Sequence, residues 1–102
     1  MKINCAIRLI PPEEVGDEVR YLLKVRGRWV ALPGLQSAYV FRDEDEARKT
    51  AVHTSAYRQL RQVGYECSVI QIRVVETNGV SHLFEVPPLE QLARALKDAG
   101  AE

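Results

Sequence analysis

SVIQIRVVETNGVSHLFEV, residues 68–86, is the stretch of the chain that decides its fold. Apolar and polar residues alternate from Ile70 to Val74, which is the period of a half-buried strand. Asn78-Gly79 is a favoured two-residue hairpin turn, and the alternation resumes from Val80. The stretch therefore predicts a β-hairpin and, with it, an antiparallel sheet.

The same alternation predicts how the two strands of this hairpin pair. A two-residue loop would place Ile72 opposite Glu85 and would mix polar and apolar side chains on both faces. A three-residue loop over 77–79 would place Ile72 opposite Phe84 and gather apolar side chains on one face. We therefore predict the three-residue loop, with Gly79 in the left-handed region as a bulge.

Three further strands precede this hairpin in the sequence. Residues 2–10 alternate cleanly, and the two prolines that follow end the pattern because proline cannot donate to a strand ladder. Residues 19–25 and 29–32 predict a second hairpin around Gly27, where glycine adopts a tight turn at low cost. A short segment over 38–41 is predicted to be extended and to pair with the sheet.

A helix is predicted between the two hairpins. Asp43 can cap its free amides, and Glu46 stands three residues later, as in a capping box. The pattern runs to Val63, and Gly64 suits the position after the helix end. Its predicted apolar stripe consists of Val52, Ala56, Leu60 and Val63.

A second helix is predicted to begin at Pro87-Pro88 and to end at Gly100. The order β-β-β-α-β-β-α predicts an α+β fold, an antiparallel sheet of about five strands with two helices packed on one face. The length of 102 residues, without a linker or low-complexity segment, predicts a single α+β domain over 1–102.

Composition narrows the class of protein further. The 14 basic and 14 acidic side chains cancel, unlike the excess of positive charge that nucleic-acid-binding domains usually carry. The chain opens directly on a strand pattern, without an apolar leader or a membrane-length apolar run, which predicts a cytoplasmic protein. Cys5 and Cys67 are then expected to be reduced and buried, although one disulfide between two strands stays open.

Motifs for catalysis or metal binding are missing from the sequence. His53, His82, Cys5 and Cys67 are isolated and show no metal-ligand spacing, and the serines lack the context of a nucleophile. The glycines are isolated as well, so no phosphate-binding loop is expected. We therefore expect no catalytic residue, metal or cofactor.

Charge is nevertheless segregated along the chain. Residues 19–42 contain five basic side chains and no acid, whereas acids concentrate at 13–18 and 43–46. The candidate partner-binding residues are Arg20, Lys24, Arg26 and Arg28, and we expect the first three to share one face of a strand.

This pattern predicts a small non-enzymatic interaction protein, such as an adaptor, inhibitor or accessory subunit, that binds a protein partner through a charge-segregated surface. The alternative is a nucleic-acid-binding protein that uses the basic strand and hairpin from Arg20 to Arg28. A third hypothesis is an enzyme of a type that the sequence does not identify.

Self-association is also predicted. Apolar residues stand on both parities of the same strands, as at Leu22 and Leu23 or Leu83 and Phe84. Two short helices would cover one sheet face and leave apolar side chains on the other. Because the zero net charge offers little repulsion, we expect a homodimer with a two-fold contact.

Overall fold

The computed structural model of the chain describes residues 4–87. It confirms the α+β prediction, with an antiparallel five-stranded sheet in the order β3-β2-β1-β4-β5 and two helices. The strands are β1 Asn4–Ile10, β2 Arg20–Val25, β3 Arg28–Leu32, β4 Glu66–Thr77 and β5 Val80–Glu85, and the helices are α1 Glu44–Ala51 and α2 Ser55–Val63. The predicted helix from Pro87-Pro88 to Gly100 lies outside the described residues, apart from Pro87 itself.

The prediction of a single helix up to Val63 is wrong, because the first helix ends at Ala51 and a second helix begins at Ser55. The buried Thr54 explains the break. Its hydroxyl donates to the Ala51 carbonyl at 2.8 Å and accepts from the Tyr57 amide at 3.2 Å, so it closes one helix and caps the next. The other predicted end groups are confirmed: the Asp43 carboxylate caps α1, and Gly64 is left-handed at the end of α2.

This break also changes which helical residues are buried. The turn between α1 and α2 resets the helical phase, so the predicted stripe does not form one face. Val52 is 48% exposed and Val63 is 56% exposed, whereas Ala47 and Ala51 of α1 are buried. Ala56 and Leu60 alone keep their predicted contact with the core.

The predicted register of the β4–β5 hairpin is wrong as well. Ile72 lies opposite Glu85, and Thr77 opposite Val80, so the loop has two residues. Asn78 and Gly79 have φ of 54° and 79°, as a type I′ turn requires. The mixed pairing is tolerated because the Glu85 carboxylate forms an ion pair with Arg8 of β1.

Both faces of the sheet contribute to the core. On the face that carries the helices, the largest buried side chains are Ile7, Leu9, Leu22 and Phe41. On the opposite face, a second cluster contains Ala6, Ile70, Ile72 and Leu83, and the connection after β3 packs against it through Leu35, Ala38 and Val40. Phe41 ends this connection and exchanges two backbone hydrogen bonds with Cys5, as the predicted extended segment implied.

Candidate functional site

The β2–β3 hairpin has a rigid two-residue turn. Val25 lies opposite Arg28, and the two residues between them, Arg26 and Gly27, have φ of 50° and 79°. These are type I′ values, which match the twist of the strands on either side. The turn therefore presents its side chains from a fixed backbone.

The four predicted site residues surround this hairpin but do not share one face. Arg20 and Lys24 point to the helix side of the sheet, in phase with the buried Leu22. Arg28 is opposite Val25 and therefore points to the other side, while Arg26 occupies the turn. The expectation that Arg26 shares the face of Lys24 is wrong, because the turn removes it from the strand alternation.

Arg20 is engaged within the chain. Its guanidinium forms an ion pair with Glu18 at 3.0 Å and donates to the Ala31 carbonyl at 3.0 Å. Lys24, Arg26 and Arg28 are exposed, and none of them forms an ion pair with another residue of the range 4–87. We call these three residues the basic tip.

An aromatic cluster supports the basic tip. The Lys24 ammonium lies 5.7 Å from the centre of the Trp29 ring, within the range of a cation–π contact. The Trp29 ring stacks on Phe41 with centroids 5.9 Å apart, and its edge contacts Tyr39 at 4.9 Å. Trp29 is partly buried and packs against the core, so its ring connects Lys24 to the core.

A cleft of about 280 Å³ lies beside the same tryptophan, between β3 and α2. It is lined by Arg20, Trp29, Val30, Ala31, Ser55, Ala56, Gln59 and Leu60. Sequence reasoning missed this cleft, since the position of α2 depends on the helix break at Thr54.

A second cleft, of about 310 Å³, lies between the helices and β4. Its polar side chains are Arg48, Tyr57, Arg61 and Cys67. Burial raises the pKa of the Cys67 thiol, although Tyr57 and the two arginines oppose this shift. The thiol is therefore protonated near neutral pH, which does not suit a nucleophile.

Both cysteines are free thiols. Cys5 lies opposite Gln71 on β4, and Cys67 lies opposite Leu9 on β1, so the two are four positions apart along the paired strands. That offset is about 13 Å at the rise of a strand, well beyond the Cα separation that a disulfide spans. The alternative of a disulfide between these strands is therefore excluded by the register.

Neither histidine contributes to the lining of the two clefts. His53 lies in the turn between α1 and α2, and His82 lies on β5. Among residues 4–87, no group of three histidine, cysteine or acidic side chains is placed to hold a metal ion.

Over the same residues, no helix has the length and apolar character needed to cross a bilayer. Comparison of the chain with protein-family models, with curated proteins and with solved structures finds no match.

Proposed function

We propose that this chain is a small non-enzymatic interaction protein of the cytoplasm, which binds an acidic surface of a partner protein through the basic tip. The observation that carries the proposal is the position of Lys24, Arg26 and Arg28, three exposed cations in and on either side of a type I′ turn. The free Cys5 and Cys67 thiols support the reducing compartment.

The basic tip and the neighbouring cleft supply complementary parts of an interface. Exposed cations steer an acidic partner toward the hairpin and fix its orientation, but they add little affinity by themselves. Burial of apolar surface contributes more affinity. The cleft beside Trp29 provides such surface at the partly buried Ala56 and Leu60. A partner that combines acidic and apolar groups suits both parts.

Two observations favour a protein over nucleic acid. The acidic first turn of α1 begins three residues after Phe41, whose ring stacks on Trp29 beneath Lys24. A protein can present acidic groups to the tip and neutral or basic groups to this turn, whereas the phosphates of a nucleic acid would bring negative charge to both. The tip cations also diverge to both sides of the hairpin, whereas a groove that follows a phosphate backbone needs them on one side.

Charge reversal at the tip tests the proposal. The triple variant Lys24→Glu, Arg26→Glu and Arg28→Glu is expected to lose at least nine-tenths of partner capture from nuclease-treated host lysate, because like charges then oppose encounter. Arg20 is left unchanged, since it bonds Ala31 within the chain. Capture is quantified by mass spectrometry of the retained proteins.

A matched control carries the same charge change elsewhere. Lys49→Glu, Arg58→Glu and Arg61→Glu reverse three exposed cations of α1 and α2, and this variant, once circular dichroism shows that it is folded, should leave capture unchanged. Equal capture by the wild type and the tip variant would contradict the proposal. Capture that disappears with nuclease treatment, together with low-salt binding to DNA or RNA oligonucleotides, would support the nucleic-acid alternative instead.

We also propose that two copies associate through the outer part of the β4–β5 hairpin. Val75, Val80 and Phe84 point to the same side of that hairpin and are 39%, 55% and 52% exposed. Their burial against a second copy would be favourable at about 25 cal/mol per Å² of apolar surface. The contact would be isologous, with the same three residues on each copy.

The oligomeric state is measured by light scattering after size exclusion at micromolar concentration. The wild type is expected at twice its mass of 11.5 kDa, and Val80→Lys at the single mass, because each copy would then bring a charged side chain into the apolar contact. Val63→Lys is the matched control, since Val63 on α2 is 56% exposed and should leave the dimer intact. A wild-type mass of 11.5 kDa throughout a dilution series would refute the dimer.

A further inference from the structure

The exposed edge of β3 has a defined set of outward-pointing backbone groups. β3 is the last strand on its side of the sheet. The Leu22 carbonyl accepts from the Tyr39 amide at 3.0 Å, so Leu22 directs its backbone away from β3. Ala31, which lies opposite Leu22, must then direct its own N–H and C=O outward, and so must Trp29 two residues earlier.

Three of these four groups are open within the described chain. Arg20 donates to the Ala31 carbonyl, whereas the Trp29 N–H, the Trp29 carbonyl and the Ala31 N–H bond to no residue of the range 4–87. The opposite edge differs, because the Gln36 amide donates to the Leu83 carbonyl and accepts from the Leu83 N–H. Among the residues that the structure describes, a side chain that imitates a neighbouring strand therefore caps the β5 edge but not the β3 edge.

The open edge borders the cleft between β3 and α2. Side chains of an added strand would alternate, and those on the helix side would enter this cleft against Trp29, Ala56 and Leu60. Its volume of about 280 Å³ is below the range of about 300–1,000 Å³ that small-molecule sites occupy. The space suits one or two apolar side chains, and Ser55 and Gln59 at its wall offer polar groups to the rim.

We infer that the partner docks by strand addition, as an extended acidic segment that pairs with β3 and inserts an apolar side chain beside Trp29. Backbone hydrogen bonds to Trp29 and Ala31 would give affinity, and the cleft would give specificity. The Arg20 guanidinium on the Ala31 carbonyl marks where the added strand ends. Charge sets the chemistry of the occupant, because Lys24 and Arg28 border its two faces at the hairpin turn. This inference rests on the proposed function and specifies its binding mode.

The test uses a synthetic peptide of the sequence Asp-Glu-Asp-Val-Leu-Val-Ser, acetylated and amidated at its ends. Binding is followed by the fluorescence of Trp29, the only tryptophan in the chain, which should shift to shorter wavelength as the ring loses water. Two further peptides carry N-methyl groups, one at odd positions and the other at even positions. Alternate amides of a strand point to opposite edges, so one methylated peptide should lose at least tenfold in affinity while the other keeps its affinity.

Two proline variants of the protein test whether the outward N–H of Ala31 takes part in binding. Ala31→Pro removes an outward N–H that β2 does not use, and it is expected to weaken the unmodified peptide at least tenfold. Ser81→Pro makes the same change at an outward position on the β5 edge and should leave binding unchanged. Circular dichroism of both variants checks that the sheet is retained.

Several results would overturn strand addition. These are no binding of the peptide at millimolar concentration, equal loss with both methylated peptides, or full binding by a folded Ala31→Pro variant. If Ala31→Pro does not fold, the two N-methylated peptides still test whether the peptide binds by strand addition. Charge-dependent capture by the basic tip, measured separately, would survive such a result, so failure of the binding mode and failure of the proposed function are distinguishable.

Discussion

Replacement of Phe41 by alanine is expected to lower the free energy of unfolding by about 3–5 kcal/mol, the cost of a large aromatic cavity in a core. Phe41 is 1% exposed and contacts the rings of both Trp29 and Tyr39. Its loss would leave the Trp29 ring without its stacking partner. Since small domains are stable by only about 5–15 kcal/mol, this loss is a large part of the total stability.

Urea denaturation measures this effect, and the same chain offers a matched control. Phe84→Ala removes the same side chain from a position that is 52% exposed, and it should change stability by less than about 1 kcal/mol. Both variants are measured at concentrations at which light scattering gives the monomer mass. Similar losses for the two variants would show that Phe41 is not the centre of the core.

Phe41 also illustrates what the sequence could predict. The short extended segment that contains it follows from the local pattern, and the structure confirms its pairing with Cys5. Its contact with Trp29 does not follow, because that contact requires the connection after β3 to cross to β1. Local periodicity specifies strands, but the path of a connection is determined by packing between distant elements.

The β4–β5 register shows how a local argument fails. The sequence places the turn at Asn78-Gly79, but gathering the apolar side chains on one face predicts a three-residue loop, which the observed pairing of Thr77 with Val80 contradicts. The two-residue turn is tolerated because Glu85, on the mixed face, forms an ion pair with Arg8 of β1, which is 77 residues away in the sequence. A cross-strand partner so distant in sequence is invisible to the pattern of the hairpin alone.

The sequence predicts the charged residues of the candidate site but not the cleft beside them. Charge segregation identifies Arg20, Lys24, Arg26 and Arg28 as basic residues around a turn, because it depends only on the order of residues along the chain. The helix break at Thr54, which positions α2 beside β3, depends on one hydroxyl group. The cleft that this break creates therefore needed the structure.

The second large effect is expected at Gln36, where alanine should lower the free energy of unfolding by about 1–3 kcal/mol, the cost of leaving buried backbone groups unpaired. The Gln36 amide donates to the Leu83 carbonyl at 2.7 Å and accepts from the Leu83 N–H at 2.9 Å. Leu83 is only 5% exposed, so water replaces these two bonds poorly. The substitution also removes the group that caps this edge of β5.

Two variants and two measurements separate the loss of these bonds from a general effect of the substitution. Gln36→Glu still accepts from the Leu83 N–H but cannot donate while ionised, so its stability should lie between those of the wild type and Gln36→Ala. Gln62→Ala removes an exposed glutamine from α2 and should shift the urea midpoint little. Amide hydrogen exchange should accelerate at Leu83 in Gln36→Ala and stay slow in Gln62→Ala. Unchanged exchange at Leu83 would mean that its N–H is protected by something other than Gln36, and the edge of β5 would then be closed without this side chain.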